Sequence, residues 1–338
     1  MTDDTGKAGL HPYALLTPDE VISAVESTGR ISDARILALN SYENRVYQVG
    51  IDEATPIIAK FYRPGRWSDE QILEEHAFTQ FLYDLEIPVV PALKEAGTTL
   101  FKYSTPQGQE FRFSLYSRQG GRAPELDNLE HLYQIGQFIG RIHAASSSFP
   151  FKYRASLSVE SFGVDSVNYL LENDFIPNDL IAAHKAITDN LLSHLATIDL
   201  SSYPSISLHG DCHPGNILWR DERPHFVDFD DAISGPAIQD LWMLVSGEQS
   251  DQLQQWEEII EGYEVFNPFD PAQLALVEPL RCLRVLTYNA WLARRWEDPA
   301  FPQSFPWFNT QRYWSEHILE LKELFSALQQ PVLKLSSY

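Results

Sequence analysis

The segment Leu208-His209-Gly210-Asp211-Cys212-His213-Pro214-Gly215-Asn216-Ile217-Leu218-Trp219 concentrates side chains that carry protons and hold cations. A second segment, His225-Phe226-Val227-Asp228-Phe229-Asp230-Asp231, follows shortly. Together they read H-x-D-x-x-x-x-N, a hairpin, then an Asp at the end of an apolar strand. Moving a phosphoryl group from ATP to a hydroxyl needs these types. One carboxylate orients the hydroxyl and takes its proton, while an Asn and a second Asp hold Mg²⁺ against the phosphates. Mg²⁺ prefers hard oxygen ligands and usually takes few of them from protein. The plainer alternative is that Asp211, Asn216 and Asp228 only shape turns. Three polar positions set between apolar strands make that the weaker reading.

The rest of the chain must position this set. Thr17-Pro18-Asp19-Glu20 reads as an N-cap, a first-turn Pro and an acidic pair, with Val21, Ile22 and Val25 as a helical stripe. Val46–Gly50 and Pro56–Tyr62 are β-rich runs joined by a short polar turn. Ser68 to Leu85 has helical spacing, and Ser68-Asp69-Glu70-Gln71 resembles a capping box. Thr98–Tyr103 and Glu110–Tyr116 read as two more strands, so the first third is strand, strand, helix, strand, strand. Ser117 to Gly121 is a flexible crossing. Beyond it, Leu132, Ile135, Phe138, Ile139 and Ile142 share one helical face. Helical patterns run from Val164 to Leu195, Ile238 to Tyr263 and about Leu274 to Trp296, interrupted by a β-rich island from Ile206 to Val227. The expected architecture is α+β. A small sheet-rich lobe takes residues 1–117. A large, mostly helical lobe takes residues 118–338, with a catalytic loop at 208–219 and a metal-binding segment at 225–231.

The two segments resemble the protein-kinase-like superfamily on its aminoglycoside phosphotransferase/choline kinase branch, which implies a bilobal kinase-like fold. The resemblance makes Asp211 the catalytic base, Asn216 a metal ligand and Asp228 the main metal ligand. It turns His209 inward to brace the loop, gives His213 a possible hydrogen bond near the transferred group, and makes Asp240 a buried anchor. Asp228-Phe229-Asp230 lacks the Gly of D-F-G, and only a few residues separate it from Gly235-Pro236, so no long phosphorylated activation loop is expected. Lys60 ends Ile57-Ile58-Ala59-Lys60, which resembles V-A-I-K, and its ammonium would bind the α/β-phosphates. Its orienting partner is Glu74 or Glu75. Glu75 is chosen because its distance to Ile87-Pro88-Val89 resembles that in related phosphotransferases. No G-x-G-x-x-G precedes Lys60. Backbone N–H groups around Leu39–Tyr47 and the Ser41 hydroxyl could cap phosphates, or Ser41 could be an autophosphorylation acceptor or a turn residue. Adenine would sit at Leu115-Tyr116-Ser117. Asn40-Ser41-Tyr42-Glu43-Asn44-Arg45-Val46-Tyr47-Gln48, Lys60-Phe61-Tyr62-Arg63-Pro64-Gly65-Arg66-Trp67 and Gln71-Ile72-Leu73-Glu74-Glu75-His76 are unusual strings, as are Gly235–Leu244 and Trp291–Trp296. Together they look like the bacterial stress response kinase A family. That resemblance implies a Mg²⁺- and ATP-dependent, autophosphorylating Ser/Thr protein kinase that acts in survival under stress.

Composition agrees. The chain has 338 residues, 47 acidic and 25 basic, for a net charge of −22. This argues against nucleic acid and against an anionic membrane as partners. A nucleotide needs only a few local cations or a metal ion. Cys212 and Cys282 cannot build a disulfide framework and fit a reducing compartment. Met1–Lys7 shows no basic stretch leading into an apolar run, and no apolar run is long enough to span a bilayer, so a cytoplasmic protein, taken as a monomer, is expected. The aromatics Trp291, Trp296, Phe301, Phe305, Trp307 and Phe308 read as closing the helical lobe, and His143 as a satisfied core histidine. Arg281, Arg284, Arg294 and Arg295 read chiefly as partners for the acidic surface, with an acidic or phosphorylated substrate as their alternative use. The overall acidity hints that the acceptor itself is basic. Two competing functions remain: a small-molecule kinase for an amino alcohol, sugar or aminoglycoside, and a non-enzymatic scaffold.

Overall fold

Local signals in the chain start the first elements of the computed structural model, which describes residues 11–335. The Met1–Lys7 stretch considered above lies outside the described residues. Thr17 Oγ1 accepts from Glu20 N at 3.3 Å and Pro18 fills the first turn, starting α1 (Pro18–Glu26). β1 (Ser32–Ala38), β2 (Arg45–Ile51) and β3 (Ile57–Phe61) follow. β1 was not anticipated: it is largely exposed, and an irregularity at Ala34 (φ 65°) breaks its alternation. Ser68 and Gln71 complete the expected capping box of α2 (Asp69–Asp84), with bonds of 3.2 and 2.9 Å. β4 (Phe101–Ser104) and β5 (Glu110–Ser117) close an antiparallel sheet of order β1-β2-β3-β5-β4.

Strand alternation divides the sheet's two faces. Ile57, Ala59, Phe61, Phe111, Phe113 and Leu115 pack against Val21 and Val25 of α1 as one core. Lys60, paired in register with Val46 and Ser114, therefore projects from the opposite face. There α2 packs as much on the second half of the molecule as on the sheet. Its Phe78 and Leu82 belong to the larger core, with the Phe78 ring 5.0 Å from Phe151 and 6.0 Å from Phe229.

The remainder comprises α3 (Leu129–Ser146), α4 (Asp165–Glu172), α5 (Ile181–Leu195), β6 (Ile206–Leu208), β7 (Ile217–Arg220), β8 (Arg223–Phe226) and β9 (Ile233–Gly235). Then come α6 (Gln249–Glu264), α7 (Val277–Ala293), α8 (Ala300–Ser304) and α9 (Gln311–Ala327). Two expectations need correction. The helical pattern from Val164 to Leu195 is two helices, separated where Asp174 is left-handed (φ 53°) and Pro177 follows. The pattern from Ile238 begins as 3₁₀ turns, and Gly247 (φ 94°) delays α6 until Gln249. A further helix, α9, lies beyond the expected tracts and buries Trp314, His317, Ile318, Leu321 and Leu324 along one stripe. Of the aromatic tail, Phe301, Phe305 and Phe308 are buried in one cluster of the helical lobe with Trp291 and Trp296 packed against it, whereas Trp307 is exposed. No helix among the described residues is long and apolar enough to cross a membrane.

α3 and α6 cross at glycines. A Cβ on Gly136 would run into Ile259 O, one on Gly140 into Tyr263 O, and one on Gly262 into Tyr133 O. Gly136→Ala should therefore lose stability, although alanine in an open helix would gain about 1 kcal/mol. The overpacking cost of about 1–3 kcal/mol outweighs that gain. The urea midpoint should fall; a rise would show that the helices separate without penalty.

Candidate active site

β6 pairs with β9, and the chain between them makes the polar loop. His209 N and Gly210 N each donate to the Asp240 carboxylate at 2.8 Å, so a buried acid does anchor the loop. His143 Nε2 donates to Asp240 Oδ2 at 3.0 Å while His143 Nδ1 accepts from the Tyr263 hydroxyl at 3.0 Å. The core histidine is thus satisfied, and it ties α3 to the loop. His209 faces inward, with Nε2 donating to Val227 O (2.9 Å) and Nδ1 accepting from Asp211 N (3.3 Å). Gly210 (φ 85°) is required here, because a Cβ would collide with Asp231 O. Cys212 is buried, and burial pushes its thiol well above the usual value, which fits packing.

Asp211 Oδ1 accepts from Arg284 Nη1 at 2.6 Å, and Oδ2 lies 3.5 Å from His213 Nε2. His213 Nδ1 accepts from Gly215 N at 3.0 Å, which leaves the Nε2 proton facing Asp211. Asn216 Nδ2 donates to Asp211 O at 2.9 Å, leaving Oδ1 available to a cation. Asp228 has left-handed backbone angles (φ 60°, ψ 63°), a strained state that costs on the order of 1–3 kcal/mol in a non-glycine residue. Its Oδ1 accepts from Lys60 Nζ at 2.7 Å, leaving Oδ2. Two hard oxygens from protein, with the remainder open, suit Mg²⁺ in contact with phosphates. No cluster of three or more His, Cys, Asp or Glu able to hold a metal occurs among the described residues.

Ser41, Lys60, Glu75, Tyr116, Asp211, Asn216 and Asp228 all line one cavity of about 960 Å³. The two candidate glutamates separate cleanly. Glu74 accepts from the backbone N–H groups of Lys152, Tyr153 and Arg154 at 2.6–2.8 Å and fastens the chain there. Glu75 is buried against the cavity. Its expected ion pair with Lys60 is not made here. Lys60 instead lies 2.7 Å from Asp228 Oδ1 and 3.3 Å from Asp230 Oδ1, since two carboxylates hold an ammonium more strongly than one. Tyr116 turns its hydroxyl to Tyr62 (3.0 Å), which bonds His76 Nε2 (2.8 Å). Burial, with Lys60 and Arg154 adding to it, pushes His76 down to about 3, so this ring is neutral.

Burial lifts the Glu75 carboxyl to about 7 against the pull of Lys60 and Arg154. A raised carboxyl keeps its proton in the folded chain after the unfolded chain has released it. Stability is therefore lost as pH climbs from the ordinary carboxylate range to about 7. Glu75→Gln removes this loss. Near pH 8 the variant should be more stable than wild type by on the order of 2 kcal/mol, and at about pH 5 the gap should close. Denaturant unfolding at both pH values checks it, and a gap independent of pH would refute the cause.

Arg66, Glu43 and Trp291 also line this cavity, and a buried ionic network stands behind them. Asp230, buried, holds Arg66 Nη1 at 2.6 Å and Asn44 Nδ2 at 3.1 Å, and its main-chain O accepts from Arg154 Nη1 at 2.6 Å. Burial opposes its ionisation, but Lys60, Arg66 and Arg154 prevail and hold its carboxyl below the usual range. The loop bearing Ser41 has no glycine; it is tied down instead. Glu43 accepts from Trp291 Nε1 (2.5 Å) and pairs with Arg295 Nε (2.6 Å) and Arg63 Nε (3.1 Å). Asp298 pairs with Arg63 Nη2 (2.8 Å) and Arg45 Nη2 (3.1 Å). The sequence signal was present in the Tyr42–Val46 and Trp291–Trp296 strings, whose charges proved to be complementary.

A model of the phosphotransferase enzyme family matches residues 35–277. Stress response kinase A of Escherichia coli O157:H7 is 41% identical over 324 residues, covering 96% of this chain and 97% of that protein. Serine/threonine protein kinase RdoA of Salmonella typhimurium is 40% identical over 324 residues, with the same 96% and 97% coverage. Among solved structures, an amicoumacin kinase in complex with AMP-PNP, Ca²⁺ and its antibiotic superposes with TM-score 0.71 at 21% identity, covering 91% of this chain and 92% of that one. A microcompartment-associated aminopropanol kinase gives TM-score 0.68 at 18% identity, covering 91% and 96%. At these identities the structural likeness establishes the bilobal kinase-like fold.

Proposed function

This chain belongs to the stress response kinase A family of phosphotransferase enzymes, and on that footing we propose that it moves the terminal phosphoryl group of Mg²⁺-bound ATP to a serine or threonine hydroxyl of a protein. One observation carries the reading: Lys60 and the set Asp211, Asn216 and Asp228, about 150 residues further along the chain, line a single cavity. Lys60 holds the α/β-phosphates, with Glu75 at its back. The Leu115–Ser117 crossing and Tyr116 bound the adenine, and the Ser41 loop caps the phosphates. Asn216 and Asp228 hold Mg²⁺, which when bound neutralises charge on the phosphates. Asp211 orients the acceptor hydroxyl and takes its proton, and Arg284 fixes the carboxylate that does so. The chain's own serines and threonines are proposed among the acceptors, and the biological setting is bacterial survival under stress.

A second reading, a small-molecule kinase, draws support from the short path from Asp228 to β9, which leaves no room for a peptide-binding activation segment. Labelled ATP with Mg²⁺ separates the two. The expected result is label on serine or threonine of this chain and of added proteins. Rapid turnover of one metabolite with negligible protein labelling would overturn the protein-kinase reading.

A further inference from the structure

A second, more open cavity of about 520 Å³ adjoins the first beside Asp211. His213 and Arg284 line both cavities, so the two meet where the acceptor hydroxyl must sit. The second cavity also presents Arg281 and the apolar side chains Trp242, Met243 and Val245. Its lining includes two guanidiniums and no carboxylate, on a chain with 47 acidic and 25 basic residues. Each arginine faces one acid: Arg284 holds Asp211 at 2.6 Å, and Arg281 lies 3.6 Å from Glu278. Asp251 lies at the rim beside Gly247. Arg281 and Arg284 nonetheless keep 36% and 42% of their side-chain surface open.

We propose that this cavity receives an anionic group next to the acceptor serine or threonine of the protein substrate, a carboxylate or a phosphate monoester. Arg281 is the specificity residue. The inference rests on the protein-kinase reading and deepens it. Guanidinium suits both anions, because its fork of donors matches either geometry. Arg284 is committed to Asp211 and serves as the positioning group. Arg281, with only a loose surface partner, is the freer to bind. The apolar floor takes the neighbouring part of the peptide, and Met243 adapts to its shape. The preference runs opposite to the basic acceptor suggested by bulk charge, because recognition is set by groups within a Debye length of the hydroxyl.

The test uses peptides with one acceptor serine and a single flanking Asp, phosphoserine, Asn or Lys placed at successive positions on either side. The wild type should favour an acidic flank over Asn at one position by about tenfold in kcat/KM, the worth of one charge-assisted hydrogen bond. The larger of the Asp and phosphoserine effects names the anion. Arg281→Gln should remove the preference through KM and leave the Asn peptide unchanged, which also reports an intact fold. Arg281→Glu should turn the preference toward Lys. Equal wild-type rates on acidic and neutral peptides, or an equal loss on all peptides in Arg281→Gln, overturns this inference and leaves the protein-kinase reading standing. Absence of label on any protein or peptide, with a metabolite turned over instead, overturns both.

Discussion

Asp211→Asn should lower kcat by a factor of about 10²–10⁴ while leaving ATP binding and folding close to wild type. The isosteric amide keeps the shape of the loop, since the fixed points of that loop are the backbone bonds to Asp240 and the inward-facing His209, neither of which involves the Asp211 carboxylate. What is lost is the acceptor for the hydroxyl proton and the anionic partner of Arg284. The nucleotide side of the cavity, built from Lys60, Asn216 and Asp228, is untouched. The diagnostic is therefore a split: kcat falls, the KM for ATP and the melting temperature hold. Transfer by Asp211→Asn within about threefold of wild type would remove Asp211 from the chemistry. A parallel loss of ATP affinity would move it to the binding set instead.

The second large effect is on stability. Asp230→Ala should destabilise the protein by about 3–5 kcal/mol, because it strands Lys60 and Arg66 in a buried place with one carboxylate fewer. Removing one member of a buried ionic cluster costs more than the cluster's net worth, since the remaining charges keep their desolvation and lose their compensation. Asp231 provides the internal control. It pairs with the same Arg66 at 2.5 Å but keeps 46% of its side-chain surface open, so Asp231→Ala should cost about 1 kcal/mol or less. Urea unfolding of both variants measures the difference. Equal losses at the two positions would mean that Asp230 acts only as a surface partner.

The parts of this molecule that could be read from the chain are those in which chemistry and spacing are local. His209, Asp211, Asn216 and Asp228 fall within two adjacent segments, and Lys60 closes an apolar strand, so each carries its own context. The capping box at Ser68 and the N-cap at Thr17 were legible for the same reason. The Arg284–Asp211 bond is not legible in the chain, where Arg284 reads chiefly as a partner for the acidic surface, because the partners are 73 residues apart and nothing local joins them. Asp230 was harder still. Its partners come from the Asn44 loop, the end of β3, Arg66 and the bend at Arg154 between α3 and α4, and only the folded chain brings them together. β1 escaped because an exposed edge strand with an irregularity lacks apolar alternation. α9 lies beyond Trp296, where the last expected helical tract ends, and its buried stripe of Trp314, His317, Ile318, Leu321 and Leu324 is broken by charged residues at the positions between.

Where the protein-kinase D-F-G signature has glycine after Asp-Phe, this chain carries Asp230, an acid whose side chain and main chain are both held. Phe229 next to it is buried, with its ring 4.3 Å from that of His209 and 6.0 Å from that of Phe78. In protein kinases the packing of this Phe sets the active and inactive states. Here moving Phe229 would drag Asp230 away from Lys60, Arg66 and Arg154 together. The segment that carries the metal-facing Asp228 is thus locked to both the sheet and the helical half by the ion pairs of its neighbour.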